Sequence, residues 1–404
     1  MRDSVGAVPS GRGGANIGHA DNGAILLDNP AAMVHLVGTG LLELGIDAII
    51  TDLDYSDPEN STNGKFRPAV LPEFAYIRKS ADERWAVGLG VFVPAGFSAQ
   101  WELNNPLLGE HGYKSFGALA KIVPGIAYRL SDQLSIGATL GVGVSHAELE
   151  GPFFLQTGPL RGTPTIFDVQ ATGATPVWSV GMQYQFSDRT ALGVTYIDES
   201  RFRLDGNLDV DVFGLGPLLG LPDPLHSDFD AEVDVVWPRS LGLGMMHALT
   251  ERQRISTDIL WFDWSHAFDR VDLKLTEATN PLFTAMLGPE IRERFPLDWR
   301  DSISVRVGYE FFLTPWDVLR AGYTYNSPNV PDATLTPYIP ATIEHTFSAG
   351  YGKRWGNCGL DLAYQFLFGP ERHVSASELA GGDFASSELK AQAHGIFLTF
   401  SYRY

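Results

Sequence analysis

The stretch "LSIGATLGVGVS" at residues 134–145 alternates apolar side chains with small ones. Leucine, isoleucine, alanine and valine stand at the even positions, and serine, threonine and glycine stand at the odd positions. Because successive side chains of a β-strand point to opposite faces, the pattern predicts a strand with one apolar face and one nearly bare face. In a soluble β-sandwich the second face would carry long polar side chains, and here it does not.

The same alternation recurs along the chain between clusters of turn residues. It predicts fourteen strands, at 40–56, 70–79, 83–94, 117–131, 133–150, 175–187, 189–206, 229–249, 253–270, 298–313, 316–327, 342–355, 357–372 and 391–404. Tight turns alternate with long loops at 57–69, 95–116, 151–174, 207–228, 271–297, 328–341 and 373–390. An even number of spans with short turns at one end and long loops at the other is typical of an outer-membrane barrel. The predicted fold class is all-β, a 14-stranded antiparallel transmembrane β-barrel with its wall in residues 40–404.

A barrel in lipid explains both faces of residues 134–145. The apolar face meets lipid tails, the small face lines the lumen, and closure of the barrel pairs every backbone group within the hydrocarbon. Inward-facing glycines leave space in the lumen, and residues 1–39 are the only long segment outside the predicted wall. We therefore expect residues 1–39 to form an N-terminal hatch, or plug, inside the barrel.

Composition limits the possible partners. The net charge of −19, without a cluster of lysine and arginine, excludes a nucleic-acid-binding role. The one cysteine, Cys358, excludes an internal disulfide and a multi-cysteine metal site, and no cofactor or metal is expected. No run of 18 apolar residues occurs, which excludes membrane-spanning helices. The start "MRDSVGAVPSG" lacks a signal peptide, so we expect that the signal was removed or that the start is misassigned.

Two groups of residues are candidates for a pathway through the wall. Pro94 lacks a backbone donor and Gly96 follows it, a pairing that suits either a kink that opens the wall laterally or a simple strand end. The expected loop at 95–116 carries apolar side chains that either capture a ligand outside the barrel or pack against neighbouring loops. These side chains are Phe97, Trp101, Leu103, Leu107 and Leu108.

A third group is polar and points into the lumen. Arg306, Glu310 and Arg320 fall on the inner parity of two adjacent strands, and the tight turn between the strands places Glu310 opposite Arg320. We expect a lumenal ion pair that braces the wall or the hatch. The alternative is that one arginine binds the carboxylate of a ligand.

The same residues give less support to other functions of a barrel. Catalysis is not expected, because the histidines are scattered and none shares a strand pattern with a serine and an acidic residue. A general diffusion porin is the main alternative, but it would need charged constriction residues on an inward loop. An efflux or adhesion barrel is a third alternative.

Three stretches resemble the FadL-type family of outer-membrane transporters for long-chain fatty acids and hydrocarbons. The stretch "GRGGANIGHADNGAILLDNPAAM" at residues 11–33 is similar to the hatch of that family, with its Asn-Pro-Ala element at Asn29, Pro30 and Ala31. Residues 298–340 are similar to two barrel strands and a proline-rich extracellular loop. The last strand, "GIFLTFSYRY", ends in an aromatic residue and resembles the signature that the outer-membrane assembly machinery recognises.

The resemblance implies a function. A hydrophobic small molecule would be captured at extracellular loops, bound in an apolar lumen pocket and released sideways through a strand kink after the hatch rearranges. Long-chain fatty acids are the first candidate ligand, and aromatic hydrocarbons are the alternative. The expected location is the outer membrane of a Gram-negative-type bacterium, where the protein would contact outer-membrane lipid as a monomer.

Overall fold

The computed structural model describes residues 2–404. Its strands are β1 (Gly40–Ser56), β2 (Ser61–Asn63), β3 (Ala69–Lys79), β4 (Trp85–Asn105), β5 (Gly109–Arg129), β6 (Leu134–Phe154), β7 (Pro164–Ser187), β8 (Thr190–Ile197), β9 (Ser200–Val212), β10 (Leu225–Trp237), β11 (Ser240–Thr250), β12 (Gln253–Phe262), β13 (Arg270–Thr276), β14 (Glu290–Pro296), β15 (Ser302–Phe312), β16 (Asp317–Asn326), β17 (His345–Trp355), β18 (Cys358–Phe368), β19 (Arg372–Val374) and β20 (Ser387–Arg403).

The helices are short. The α-helices are α1 (Ala7–Gly11), α2 (Ile25–Asp28), α3 (Leu215–Leu219), α4 (Trp264–Ala267) and α5 (Pro281–Leu287). Single 3-10 helices cover Pro30–His35, Asp332–Thr334 and Ala380–Gly382. Within residues 2–404, no helix has both the length and the apolar character that crossing a membrane would require.

The strands build a closed wall of fourteen antiparallel spans, as predicted. Four spans are each made of two strands in a row, namely β8 with β9, β10 with β11, β12 with β13, and β14 with β15. The wall closes through β1, which pairs with β3 on one side and with β20 on the other. Leu41 accordingly faces both Ile77 and Arg403. The 14-stranded barrel is confirmed.

The outward face of the wall is apolar. In β6, Ile136 and Leu140 are 44% and 66% exposed, whereas Ser135 and Thr139 on the other face are buried. Apolar side chains are stable on the outside of a closed barrel because lipid tails surround it there. The small face of this strand must therefore meet something inside the barrel.

The N-terminal segment, residues 2–39, lies inside the barrel. Residues 3–19 are buried throughout. Helix α1 packs against β17, β18 and β20, and the 3-10 helix Pro30–His35 packs against β5, β6 and β7. These two groups of strands lie on opposite sides of the wall, so the segment crosses the lumen.

Inward-facing glycines let the backbone of this segment approach the wall. A β-carbon at Gly137 would lie 2.5 Å from the Ala31 nitrogen, and one at Gly308 would lie 2.5 Å from the Arg12 carbonyl oxygen. Both distances are too short for any side chain. Beside Gly137, the Ser135 hydroxyl donates to the Ala31 carbonyl oxygen at 3.0 Å. The nearly bare face of β6 is thus the surface on which the N-terminal segment rests.

At the end of the barrel with the long connections, the strands continue well past their predicted ends. The prediction of a loop at 95–116 is wrong, because β4 runs to Asn105 and β5 begins at Gly109. The predicted loop at 151–174 likewise contains the ends of β6 and β7. The strands persist because one face of each continues to bury apolar side chains. We call the upper ends of β4–β7, together with β9, β10, β13 and β14, the collar.

Candidate functional site

Asn29 fixes the N-terminal segment to the wall. It caps the 3-10 helix Pro30–His35, where its side-chain oxygen accepts a hydrogen bond from the Ala31 nitrogen at 3.3 Å. Its amide nitrogen donates to the carbonyl oxygens of Ile17 at 2.9 Å and Met182 at 3.2 Å. Asn29, Pro30 and Ala31 are all buried. The Asn-Pro-Ala element therefore lies where the segment contacts β7.

A buried network of charges joins the segment to the opposite side of the wall. The Arg12 guanidinium donates to both carboxylate oxygens of Asp21 at 3.0 Å and lies 3.5 Å from Glu310 Oε1. Arg320 Nε donates to Glu310 at 2.9 Å, and Arg320 Nη1 donates to Asp361 at 2.7 Å. We call these five residues the latch. Because most of them are almost fully buried, loss of one charge would leave another uncompensated.

The three lumenal residues singled out in the sequence all contact this part of the molecule. Glu310 stands directly opposite Arg320 in the β15–β16 ladder, and the two are hydrogen-bonded. Arg306 Nη1 donates to the carbonyl oxygen of Gly14 at 3.3 Å. Each arginine therefore already has a partner in the protein, and the geometry favours bracing of the N-terminal segment over binding of a ligand carboxylate.

Charges inside the segment control its protonation. Burial disfavours ionisation of Asp21, but Arg12 and His19 outweigh burial and hold the pKa of the Asp21 carboxyl well below its usual value. Burial, followed by the charge of Arg12, lowers the pKa of His19. The segment thus holds an ionised carboxylate beside a neutral histidine at neutral pH.

His35 lies at the far end of the segment. Burial, with the charges of Arg129 and Lys79, lowers the pKa of His35 to about 4. Its Nε2 lies 2.9 Å from the Ser135 hydroxyl oxygen. His35 is therefore neutral at neutral pH, and protonation would place a second positive charge near Arg129.

Two groups of side chains offer ligand atoms close enough together for a metal ion. They are His19, Asp21 and Glu310 in the lumen, and Asp209, His226 and Asp228 on the outside of the collar. In the first group the Arg12 guanidinium already occupies both oxygens of Asp21. The second group is exposed to solvent. Neither group needs a metal ion to explain its surroundings.

The wall has a break in its ladder between β3 and β4. The two strands pair over residues 74–79 and 86–91, and within residues 2–404 no ladder joins them beyond that point. There β4 also shifts register against β5, between Phe92 and Ala95. Pro94 lies in this shift and has no N–H to donate. We call this break the window.

Pro94 and Gly96 lie within a strand rather than at its end. Strand β4 continues beyond them to Asn105, so the alternative of a simple strand end is wrong. A β-carbon at Gly96 would lie 2.8 Å from a backbone oxygen of β5, which explains why no larger residue stands there. Farther along, the Lys65 nitrogen donates to the Gln100 carbonyl oxygen at 2.8 Å and bounds the window at its far end.

The start of the N-terminal segment reaches the window. The Arg2 nitrogen donates to the Pro94 carbonyl oxygen at 3.0 Å, and Arg2 Nη1 donates to the Val93 carbonyl oxygen at 3.0 Å. The same guanidinium pairs with Asp47 of β1. Arg2 therefore supplies hydrogen bonds that a neighbouring strand would otherwise supply.

An apolar cavity of about 170 Å³ lies inside the collar. Two aromatic pairs line it: Phe153 and Phe295 pack edge to face with ring centroids 4.7 Å apart, and Phe229 and Phe283 do so at 5.8 Å. The other apolar side chains of its wall include Phe167, Leu208, Val210, Val212, Leu273 and Leu275. Glu290, Arg292 and Glu293 also border the space. A mainly apolar cavity of this kind accepts apolar molecules.

A buried carboxylate holds a loop over this cavity. Glu293 accepts hydrogen bonds from the backbone nitrogens of Gln156 at 3.0 Å and Thr157 at 3.1 Å. Gln156 in turn accepts from the Ala380 nitrogen at 2.8 Å, which joins a second loop to the first. Burial raises the pKa of Glu293. The loop at 155–163 is thus attached at its start, while its tip stands over the cavity.

The apolar residues predicted to capture a ligand do not line the cavity. Those residues are Phe97, Trp101, Leu103, Leu107 and Leu108. Trp101 and Leu103 are buried, and the Trp101 indole nitrogen donates to the Pro337 carbonyl oxygen at 2.9 Å. Leu107 is exposed at the tip of the β4–β5 hairpin. Trp101 and Leu103 therefore pack against neighbouring parts of the protein, which was the alternative to ligand capture.

Sequence reasoning missed the cavity because its wall comes from strands far apart along the chain. One signal could have indicated the collar. In "FRLDGNLDVDVF" at residues 202–213, apolar residues alternate with charged and polar ones instead of with small ones. Such strands have one face packed against the protein core and one face exposed to water, so their outward face contacts water instead of lipid.

These features define a class. The molecule is a closed transmembrane barrel whose own N-terminal segment fills the lumen beneath an apolar compartment. Residues 5–404 match the family described as outer membrane protein transport protein (OMPP1/FadL/TodX), and the chain belongs to this family. It is therefore an outer-membrane protein of a family that transports hydrophobic molecules. The long-loop end is extracellular and the short-turn end is periplasmic.

Individual relatives agree with this assignment. A protein of Neisseria meningitidis serogroup B named "Putative outer membrane protein NMB0088" is 23% identical over an alignment of 392 residues, and the match covers 88% of this chain and 81% of the relative. A FadL homologue of Pseudomonas aeruginosa has the same fold, with a TM-score of 0.81 at 19% identity over 100% of this chain and 99% of that one. The toluene transporter TodX of Pseudomonas putida gives a TM-score of 0.79 at 20% identity, over 99% and 98%.

Proposed function

We propose that this protein takes up hydrophobic small molecules through the outer membrane. A ligand enters the collar cavity from outside, the N-terminal segment acts as a hatch that rearranges, and the ligand leaves sideways through the window into the bilayer. The observation that carries this proposal is the apolar cavity above a filled lumen. An open aqueous pore would offer a hydrophobic molecule no favourable environment, whereas burial stabilises it by roughly 0.8 kcal/mol per methylene.

Long-chain fatty acids are the first candidate ligands, and single-ring aromatic hydrocarbons are the second. TodX carries the name of a toluene transporter, and so does TbuX of Ralstonia pickettii, which has the same fold with a TM-score of 0.75. The cavity volume of about 170 Å³ is close to that of the roughly 150 Å³ engineered cavity that binds benzene. Either ligand would place an apolar body between the two aromatic pairs. A general diffusion porin is disfavoured, because the N-terminal segment occupies the lumen.

The lateral exit is supported by the interrupted ladder. A closed ladder offers no path from lumen to lipid, and β3 and β4 stop pairing where Pro94 lies. The side chain and backbone of Arg2 donate to the carbonyl oxygens of Val93 and Pro94 in β4. Movement of the N-terminal segment would therefore vacate the window and open the path at the same time.

Replacement of Pro94 tests the lateral exit. Pro94→Val restores a backbone donor and a residue that favours strands, so it should extend pairing and narrow the window. We expect the variant to bind a fluorescent fatty acid like the parent but to deliver it to cells several-fold more slowly at matched surface expression. Pro124→Val, at a proline on the lipid-facing side of the neighbouring β5, is the matched control.

Two outcomes would contradict the proposal at different points. Equal delivery by parent and Pro94→Val would refute the lateral route and favour passage past the hatch to the periplasm. Equal uptake of fatty acid and of toluene by cells with and without the protein would refute the transport function itself.

A further inference from the structure

The last extracellular loop folds back onto the collar. We call its residues 379–386 the cover segment. Leu379 and Phe384 of this segment are buried. The Phe384 ring packs edge to face against the rings of Tyr113 in β5 and Tyr338, with ring centroids 6.1 Å apart in each case. The cover segment is therefore attached to the outer end of the collar by apolar and aromatic contacts.

A hydrogen bond joins the cover segment to the loop that stands over the apolar cavity. The Ala380 nitrogen donates to Gln156 Oε1 at 2.8 Å, and the Gln156 nitrogen donates to Glu293 at 3.0 Å. Leu160 of the loop at 155–163 lines the cavity. Release of the cover segment would therefore remove a contact that holds this loop over the cavity.

Asp383, in the middle of the cover segment, is buried without a cation. It is 9% exposed, and among residues 2–404 its Oδ2 atom has no hydrogen-bond partner. No lysine, arginine or histidine nitrogen of the same residues lies within 4.0 Å of the carboxylate. Burial raises the pKa of Asp383 to about 7, and the backbone N–H of Phe384 offsets this only in part. Closure of the segment thus favours the neutral carboxyl.

The groups that face Asp383 from neighbouring elements do not compensate a negative charge. Tyr113 of β5 and Tyr338 of the loop at 328–344 interact with it electrostatically, and both phenols are uncharged at neutral pH. The next charged groups around these phenols are Asp57 and Glu150, which are acidic themselves. Ionisation of Asp383 would therefore place an unpaired charge in a mainly aromatic environment.

The backbone on both sides of Asp383 is strained. Phe384 and Ser386 have φ values of 61° and 60°, in the left-handed region that residues with a side chain rarely adopt. Gly381 and Gly382, which precede Asp383, also have positive φ. Strained conformations of this kind persist only while the surrounding packing holds them. A change that weakens the packing would release the whole segment.

We propose that the cover segment is a pH-sensitive lid, which closes over the collar while Asp383 is protonated and lifts when the carboxyl ionises. This inference rests on the proposed uptake function and adds a regulation of ligand entry to it. In the lifted state Asp383 is surrounded by water and ionises near the usual value of about 4.

The direction of the pH dependence follows from the two states. The closed state binds the proton more tightly than the lifted state, because burial disfavours the charge. Closure is therefore fully stable below about pH 4 and weakens by up to about tenfold per pH unit as the pH rises. It stops weakening above the pKa of the closed state, which is about 7. Neutral and alkaline media should thus open the collar.

Thiol labelling measures the lifting directly. Ala380→Cys and Ala376→Cys are made separately in the full-length Cys358→Ser protein in lipid nanodiscs. Ala380 is buried and Ala376 of the same loop is exposed. The rate with a water-soluble maleimide at Ala380→Cys is divided by the rate at Ala376→Cys, which corrects for the pH dependence of the thiol. We expect this ratio to rise at least several-fold from pH 5.5 to pH 8.

Asp383→Asn keeps the size of the side chain and removes its charge. With this substitution added, we expect the labelling ratio to stay low at every pH. Glu378→Gln is the matched control, because it removes an exposed carboxylate of the same loop and should leave the rise unchanged. Heat-modifiable gel migration confirms folding of each variant, and Asp383→Ser serves the same test if Asp383→Asn does not fold.

Uptake of toluene by cells shows whether the lid controls entry. Toluene is uncharged at every pH, so a pH dependence of its uptake belongs to the protein. We expect the initial rate to rise several-fold from pH 6 to pH 8 with the parent and to stay constant with Asp383→Asn. His35 of the hatch is present in both proteins, so the difference between them isolates the collar.

The outcomes separate the lid from the function on which it rests. A labelling ratio that is constant in the parent, or that rises equally in Asp383→Asn, would overturn the lid. Labelling that follows the expectation while toluene uptake by the parent is independent of pH would overturn its control of entry. If uptake of toluene and of fatty acid at every pH equals that of cells without the protein, the proposed function fails, although the labelling can still show that the segment lifts.

Discussion

The collar and the lower part of the barrel, which contains the N-terminal segment, share one wall but have opposite interiors. The collar interior is lined by aliphatic and aromatic side chains and contains an apolar cavity. The lower interior is packed with the N-terminal segment, which is held by the latch and by hydrogen bonds such as those of Asn29. Beneath it, a periplasmic cavity of about 190 Å³ is bordered by several charged residues, including Arg254, Arg354 and Arg403.

The two interiors should respond differently to substitution. Apolar contacts are non-directional, so the collar can accept molecules of varied shape without rearranging its wall. Hydrogen bonds are directional, so displacement of the N-terminal segment would leave buried charges unpaired. The collar should therefore respond gradually to substitution, and the hatch should respond sharply.

The sharpest response is expected at Arg12. Arg12→Met leaves Asp21 and Glu310 without their shared cation, and breaking a buried pair costs about 3–5 kcal/mol. We expect the hatch to undock and single-channel conductance in planar bilayers to rise strongly, while ligand binding in the collar persists. Arg201→Met is the control, because that arginine is exposed and its ion pair contributes little. Unchanged conductance of Arg12→Met would show that the segment does not seal the lumen.

Acidification should weaken the same docking. The docked state lowers the pKa of His35 to about 4, whereas a released His35 has the usual value near 6.5. A lowered histidine pKa means that the released state binds the proton more tightly. The contribution of His35 to docking is therefore fully present above about pH 6.5 and is lost as the pH falls through 4, by about 3 kcal/mol in all.

Conductance measured from pH 7.5 to 4.5 checks this expectation. Openings should become more frequent toward the acidic end, and His35→Gln should reduce the dependence. Because His19 also has a lowered pKa, part of the effect should persist in that variant. A pH profile identical in parent and His35→Gln would assign the dependence to other groups.

The mildest effect is expected in the collar. Val210→Trp fills part of the cavity, and we expect a several-fold loss of ligand affinity without any change of conductance, since overpacking of this kind costs about 1–3 kcal/mol. Leu241→Trp adds the same side chain on the lipid-facing surface and should leave both properties unchanged. If Val210→Trp raised conductance as Arg12→Met does, the two compartments would not be independent.

The sequence indicated the wall well and the collar poorly. Where the wall faces lipid, apolar side chains alternate with small ones, as at Ile136 and Gly137, and this pattern is recognisable from the sequence. The sequence placed Trp101 and Leu103 in a loop that captures a ligand. They lie instead in the β4–β5 hairpin, which extends beyond the membrane, and there the outward face no longer has to be apolar. The pairing of Glu310 with Arg320 could be predicted, since it follows from parity and one tight turn.

Local patterns in the chain thus determined the barrel class, the number of spans and the inward face of each strand. They also showed that residues 1–39 are not part of the wall. Tertiary structure alone decided which residues meet across the lumen. The cavity gathers Phe153 and Phe229 from two distant strands and Phe283 from helix α5, and the latch gathers Arg12, Glu310 and Asp361. The physical reason is that side-chain alternation depends on neighbours along one strand, whereas convergence inside a barrel depends on shear and closure of the whole sheet.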